Sequence, residues 1–322
     1  MPSAFAIRSA KPFLPVVFFL LCACAAPASH SSYTGEFVGS YEEIIGPQGL
    51  TAAGFSDADF VQLLLPDDIA PIYDPRFIPA ADADLPDAEL VIGLSVNGDA
   101  RAYSAGILYT REMVNDVVGG VPVLVTWCPK CYTALVHDRR VDGATAVFGN
   151  QGALYQGAMT WFDHETGSIW SQPLGKALVG PRYGATVKLM PSQLTTWGEW
   201  VRAHPETAVL TVAHPSPPFQ GQRPGPGHVV GVIVGDVAAA WPYQWLAAGN
   251  VVNSTIGETP VSIWLDASSG AIRAADLSRP GREPQSEIPV IIAWRSAWLK
   301  FYPDSVTEPR AIDTNAKSSV GG

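Results

Sequence analysis

Charge is scarce in this chain. Asp, Glu, Lys and Arg make up 16% of its 322 residues against 47% hydrophobic ones, a balance that excludes an intrinsically disordered protein. Basic residues are nowhere clustered, so the electrostatic footprint that nucleic acid requires is missing and no nucleic-acid partner is expected. The sequence holds no Ser/His/Asp order, no phosphate-binding glycine loop and no dinucleotide fingerprint. The N-terminal apolar run falls short of the roughly 20 residues of a spanning helix. Cysteine is limited to Cys22, Cys24, Cys128 and Cys131, and no second CxxC exists to complete a four-cysteine metal site. Proline (28) and glycine (30) are plentiful, which favours many turns and short strands over long helices. The length allows one or two domains.

Arg8 and Lys11 precede the apolar stretch Phe13–Leu21, the layout of a secretory signal peptide over residues 1–23. Leu21-Cys22-Ala23-Cys24 has the form of a bacterial lipobox, which predicts cleavage before Cys24 and lipidation of its sulfur. The alternative is ordinary cleavage near Ala26 or Ala28. The expected location is extracytoplasmic and membrane-anchored, in the periplasm or at the cell surface. The membrane surface is then the one partner implied, and no protein partner is indicated. Losing the leader removes Arg8 and Lys11 and leaves 18 basic residues against 30 acidic ones. It also leaves only Cys128 and Cys131 as a thiol pair, in an oxidising compartment.

Residues 24–65 read as a tether and irregular N-terminal segment, with Phe60–Leu65 expected to form one or two helical turns. From Leu90 the pattern becomes an antiparallel β-meander. Asn97-Gly98 and Gly119-Gly120 are tight-turn signals between β-branched runs. A shift of 138 residues then lays Val91–Trp127 on Val229–Leu265 without a gap, MVNDVVGGVPV on VVNSTIGETPV most clearly. A second shift, of 98 residues, lays Trp200–Thr207 on Trp298–Ser305, each a short helix stopped by proline, with Ser192 as the expected N-cap of the first. The two shifts differ by 40 residues, so the first copy carries an insertion within Arg139–Met190. The predicted fold is mainly β with a few short α-helices: two diverged copies of one antiparallel meander, sheet or small barrel, the first with an inserted β-hairpin region. Residues 66–215 hold the first copy, 216–228 a Pro/Gly linker, 229–306 the second copy and 307–322 a disordered tail.

Copy two has Asp266 and Ser269 where copy one has Cys128 and Cys131, so the chemistry is expected in copy one. The CPKC turn lies between β-patterned runs, and the helix that would activate a redox cysteine is not signalled. Three readings stay open: a structural disulfide, a redox dithiol, and a metal site for zinc or copper completed by His137 or His164. The insertion contains the hairpin TWFDHETGSIWSQ, where Asp163, Glu165, Thr166, Ser168, Trp170 and Gln172 are candidates for a polar pocket walled by aromatics. The alternative is a loop with an Asx turn at Asp163 and tryptophans in the core.

TWCPKCYTALVHDRRVDG, FGNQGALYQGAMTWFDHETGSIWSQPLGKALVGP and TTWGEWVRAHPETAVL, with DDIAPIYDPRFIPA and LVIGLSVNGDARAY before them, closely resemble the family catalogued as domain of unknown function 3179. The resemblance spans about Pro66–Val306 and implies a shared fold in a family of bacterial and archaeal proteins that often carry export signals. It implies no settled activity. The family motifs fall on Cys128, Pro129, Cys131, Phe148, Asp163, Thr166, Ser168, Trp170, Gln172, Gly175, Gly180 and Trp197. Two departures stand out. Arg111-Glu112 replaces the family's His-Glu, which removes a possible metal ligand, and Tyr103-Ser104 replaces its Tyr-Pro. The first functional expectation is an exported, lipid-anchored protein with a metal or small-ligand site near the CPKC turn. The second is an extracytoplasmic thiol–disulfide oxidoreductase using Cys128 and Cys131. The third is an envelope interaction module with a structural disulfide.

Overall fold

A computed structural model describes residues 59–305 apart from 215, 222 and 280–285. The expected signal peptide, Cys24 and the C-terminal tail lie outside the described residues, as does nearly all of the tether. Two strands come first, β1 (Phe60–Gln62) and β2 (Arg76–Pro79). The first meander runs β3 (Leu90–Val96), β4 (Asp99–Ser104), α1 (Ala105–Arg111), β5 (Met113–Val118), β6 (Val121–Cys128) and β7 (Thr133–Asp138). An excursion follows through β8 (Arg140–Val141), β9 (Ala144–Thr145), β10 (Phe148–Tyr155), β11 (Ala158–Asp163), β12 (Ile169–Ser171) and β13 (Lys176–Val179). The meander resumes with β14 (Lys188–Met190), β15 (Gln193–Thr196), α2 (Trp197–Ala203) and β16 (Ala208–Thr211). The second copy runs β17 (His228–Val234), β18 (Val237–Pro242), α3 (Tyr243–Ala247), β19 (Val252–Ile256), β20 (Thr259–Asp266), β21 (Ala271–Asp276), β22 (Glu287–Ile288), β23 (Val290–Trp294) and α4 (Arg295–Phe301).

The duplication is visible strand by strand. The order β14-β7-β6-β5 recurs as β22-β21-β20-β19, and β15-β3-β4 recurs as β23-β17-β18. Registers agree as well: Val136 pairs with Met190 as Ala274 pairs with Ile288, and Leu90 with Thr196 as His228 with Trp294. One pairing thus joins a strand related by the 138-residue shift to one related by the 98-residue shift, which a chance match would not do. The sheets are open and none closes into a barrel.

Local chemistry explains the elements. Asn97-Gly98 and Gly119-Gly120 all take positive φ, the conformation a two-residue hairpin turn needs, and the Asn97 amide donates to the Gly119 carbonyl at 2.8 Å. Ser104 caps α1 by accepting from the Gly106 and Ile107 amides, so the departure from Tyr-Pro supplies a helix cap. At the equivalent position of copy two, Pro242 precedes α3 and makes no side-chain cap. The cap of α2 is Thr196, which accepts from Glu199; Ser192 lies before β15 instead. Phe60–Gln62 is a strand and not a helix, because the edge of β10 offers it backbone partners.

Each copy is locked by one glycine–tryptophan contact. A Cβ on Gly93 would fall 2.3 Å from the Trp200 ring, and one on Gly231 would fall 2.2 Å from the Trp298 ring. Only glycine lets these indoles lie on the strand. Their N–H groups donate to the matching hydroxyls of Thr207 and Ser305.

Strand alternation sorts the core. On β6, Val123, Val125 and Trp127 face the β3–β4 sheet, and Leu124 and Cys128 face the inserted sheet, of order β1-β10-β11-β12-β13. Each fully buried Val or Leu there contributes about 1.5–3 kcal/mol. The copies seat on each other reciprocally. The Cys131 carbonyl accepts from the Trp294 amide at 3.1 Å, and the carbonyl of its counterpart, Ser269, accepts from the Thr195 hydroxyl. Among the described residues no helix is long and apolar enough to cross a membrane.

Candidate functional site

Cys128 ends β6 and Thr133 opens β7, and the two pair across the CPKC turn. The turn is a β-hairpin, with Tyr132 at φ 58°, and no helix begins there. Helix-dipole activation of a thiolate is therefore lacking. The two sulfurs stand at disulfide distance with Cα atoms 5.6 Å apart, inside the usual disulfide range. Both residues are buried, at 2% and 1% exposure.

From the inserted region, Gln172 hydrogen-bonds to the strands that flank this turn. Gln172 accepts from the Thr133 hydroxyl at 2.6 Å and donates to the Thr126 hydroxyl at 3.1 Å and the Thr133 carbonyl at 3.2 Å. The Thr133 hydroxyl also lies 3.0 Å from the Cys131 sulfur. Gln172 is fully buried, and this ring of bonds satisfies its amide, as burial demands.

His137 shares the face of β7 that carries Thr133, and its ring meets Trp161 edge-on at 5.1 Å. Its Nδ1 has no hydrogen-bond partner, and burial alone lowers its pKa to about 3, so it is neutral. It stands in apolar surroundings. Among the described residues no three His, Cys, Asp or Glu side chains gather as a metal-binding group.

The DHETG loop is a separate network at the other end of the inserted hairpin. Asp163, fully buried, accepts from the Thr166 amide, the Thr166 hydroxyl and the Trp170 indole, each at 2.8 Å, and pairs with Arg182 at 3.0 Å. Ser168 holds the Arg182 amide at 2.9 Å and meets the Thr166 hydroxyl at 2.7 Å. Glu165 is exposed and pairs with Arg182 at 3.2 Å. Every oxygen of the Asp163 carboxylate is thus engaged in holding the loop. Trp170 links the two regions, its N–H on Asp163 and its ring in the cluster that contains both cysteines.

His164 turns elsewhere. Its Nε2 lies 3.0 Å from the Tyr73 hydroxyl, which donates to Asp67 at 2.7 Å. Asp67 accepts from the Asn150 amide, and the Asn150 side chain donates to Glu112 at 2.8 Å. Burial lowers the His164 pKa to about 4 against the opposing charge of Asp163. Burial also raises the Asp67 and Glu112 carboxyls despite their hydrogen bonds.

The structure therefore brings Cys128, Cys131 and Gln172 together. It sets Asp163, Glu165, Thr166 and Ser168 around Arg182, and gives His137 and His164 separate surroundings. The sequence reading missed Thr126, Thr133 and Arg182, and the chain of Asp67, Tyr73, Asn150 and Glu112. Thr126 and Thr133 had a signal, since alternation places both on the Cys128 face; the others depend on long-range contacts.

The comparison with known families now bears on this site. Residues 66–220 match the family model described as a protein of unknown function, DUF3179. The DUF3179 stretch takes in the CPKC turn, strands β10–β13 of the inserted sheet and α2, and it stops before β17. Every motif residue that carried the resemblance lies within it. No curated protein and no solved structure matches the chain.

Proposed function

We propose that this chain is an exported, lipid-anchored envelope protein in which Cys128–Cys131 is a structural staple. On this reading the work of the protein is binding or interaction, not thiol chemistry. One observation carries it: a disulfide-distance pair, buried at 2% and 1%, closes a β-hairpin against both the inserted sheet and α4. A sulfur so placed offers almost no exposed surface and has no activating helix. The signal-peptide and lipobox patterns supply the oxidising compartment in which such a bond persists.

One observation favours the thiol–disulfide reading instead. The Thr133 hydroxyl lies 3.0 Å from the Cys131 sulfur, and by turning its proton from Gln172 to the sulfur it would stabilise a thiolate. Thiol counting with metal analysis on the native protein decides. The staple predicts no free thiol, no stoichiometric zinc or copper, and a disulfide that dithiothreitol opens only with denaturant present. A bond that opens readily without denaturant selects the oxidoreductase, and two thiols with bound metal select the metal site. Mass spectrometry of the mature N-terminus tests acylation of Cys24.

A further inference from the structure

Five consecutive residues that begin in β1, the edge strand of the inserted sheet, are turned to solvent, and four of them are aliphatic. Val61 is 53% exposed, Leu63 56%, Leu64 41% and Leu65 69%. Among the described residues the other exposed large apolar side chains, Tyr109, Tyr183, Val237, Val251 and Leu277, come one at a time along the chain. Single apolar side chains on a surface need no explanation, whereas a contiguous run does. The run is held out by a built seat. The Leu63 and Leu64 amides both donate to the Gly152 carbonyl at 3.0 Å, and the Leu65 amide donates to Asp68 at 2.8 Å. The Gln62 side chain donates to the Leu64 carbonyl. A Cβ on Gly152 would fall 2.4 Å from that same carbonyl oxygen, so only glycine lets the run sit this close.

That seat decides what fits. A strand added beyond β1 would need free amides, and those of Leu63, Leu64 and Leu65 are already taken. A protein interface of ordinary size uses about 20–30 residues a side, far more than this run supplies. A lipid surface asks for the reverse: apolar side chains whose backbone polar groups are satisfied within the protein. The position along the chain agrees. Val61 follows Cys24 by 37 residues. That is at most about 130 Å of chain, so lipid on Cys24 would hold the run within reach of the bilayer. Charge sets the mode of contact. No Lys or Arg occurs between Lys11 and Arg76, while Asp59, Asp67 and Asp68 flank the run. Anionic headgroups therefore offer it nothing, and the attraction is apolar.

We propose that Val61–Leu65 is a second membrane contact, seated at the boundary of headgroups and acyl chains. It rests on the lipid-anchor reading of Cys24 for its nearness to the bilayer. It adds what a tether lacks, a fixed orientation, with the β1 edge of the inserted sheet toward the lipid.

Vesicle flotation of the mature chain from residue 24, with Cys24→Ser so that it carries no lipid, tests the contact apart from the anchor. The vesicles are phosphatidylcholine at about 5 mM lipid, alone or with about a quarter of phosphatidylglycerol. The expected result is binding that rises with lipid, is no stronger with phosphatidylglycerol and is not weakened by about 1 M NaCl. Leu63→Ser, Leu64→Ser and Leu65→Ser together should lower it roughly tenfold or more. Leu277→Ser, at another exposed leucine, should leave it unchanged. The urea midpoint of the triple variant should stay near that of the wild-type leucines, since the side chains are exposed. Absence of flotation with all three leucines present, flotation that survives in the folded triple variant, flotation that requires phosphatidylglycerol, or a leucine-dependent dimer in solution overturns the proposal. Leucine-dependent flotation supports the contact even where mass spectrometry finds Cys24 unacylated, so the two readings fail separately.

Discussion

The CPKC turn and the turn at Asp266–Gly270 occupy the same place in the two copies, and they are held by different chemistry. Cys128 pairs with Thr133 as Asp266 pairs with Ala271, so the backbone problem is identical. In copy two the Asp266 carboxylate solves it by accepting from the Ser268 amide at 2.9 Å and the Ser268 hydroxyl at 2.7 Å, with Arg273 beside it. A hydrogen-bonded carboxylate suffices where the turn borders solvent. In copy one Pro129 and Lys130 reach toward solvent, but the two residues that close the turn are buried beside α4 and the inserted sheet, where an ionised carboxylate would be costly, and a sulfur pair closes it without charge. The cysteines therefore answer to the burial around the hairpin, not to its shape.

That contrast can be broken at its most sensitive point through the insertion. Asp163→Ala leaves Arg182 and the Trp170 indole without their buried acceptor and should cost about 3–5 kcal/mol in urea unfolding. It should also make the Cys128–Cys131 bond more readily reducible, if the inserted sheet is what shields it. Replacing both cysteines by serine should cost about 2 kcal/mol, the value for so short a loop. It should leave the far-ultraviolet circular dichroism unchanged, since copy two forms the same hairpin without sulfur.

Acid sharpens the comparison further. His137 stands where copy two has Ala275. Its folded pKa of about 3 lies below the unfolded value near 6.5, so the unfolded chain binds the extra proton and stability falls as pH drops between the two. Between pH 6.5 and 5 the loss should reach about 2 kcal/mol, and His137→Gln should flatten that part of the profile. The smallest effect belongs to Asp266→Ala, about 1 kcal/mol at neutral pH. Burial pushes that carboxyl up, but its bonds to Ser268 and Arg273 outweigh burial and hold it below the usual range. Its contribution is in place above pH 4 and should fade as pH falls through the lowered value.

Much of the architecture was legible in residue order because local signals and repetition reinforced each other. Asn97-Gly98, Gly119-Gly120 and the two shifts placed both meanders and located the insertion between β7 and β14. What escaped was set by distant partners. Phe60–Leu65 carries no local instruction to be a strand; it follows the free edge of β10. The parallel pairing of β16 with β4 and the chain from His164 through Tyr73 and Asp67 to Glu112 likewise join residues far apart in sequence. At the site, Gln172 did reach the cysteines, while Thr166 and Trp170 were taken up in satisfying the buried Asp163.

The reciprocal seating of the halves has one more implication. Two like bodies, each resting its hairpin on the other, have the arrangement of a twofold homodimer drawn with a single thread. In a true dimer of identical subunits, any substitution at one contact is imposed on its mirror image. A continuous polypeptide is released from that rule, so one contact is free to be lined by leucines while its twin carries an ion pair.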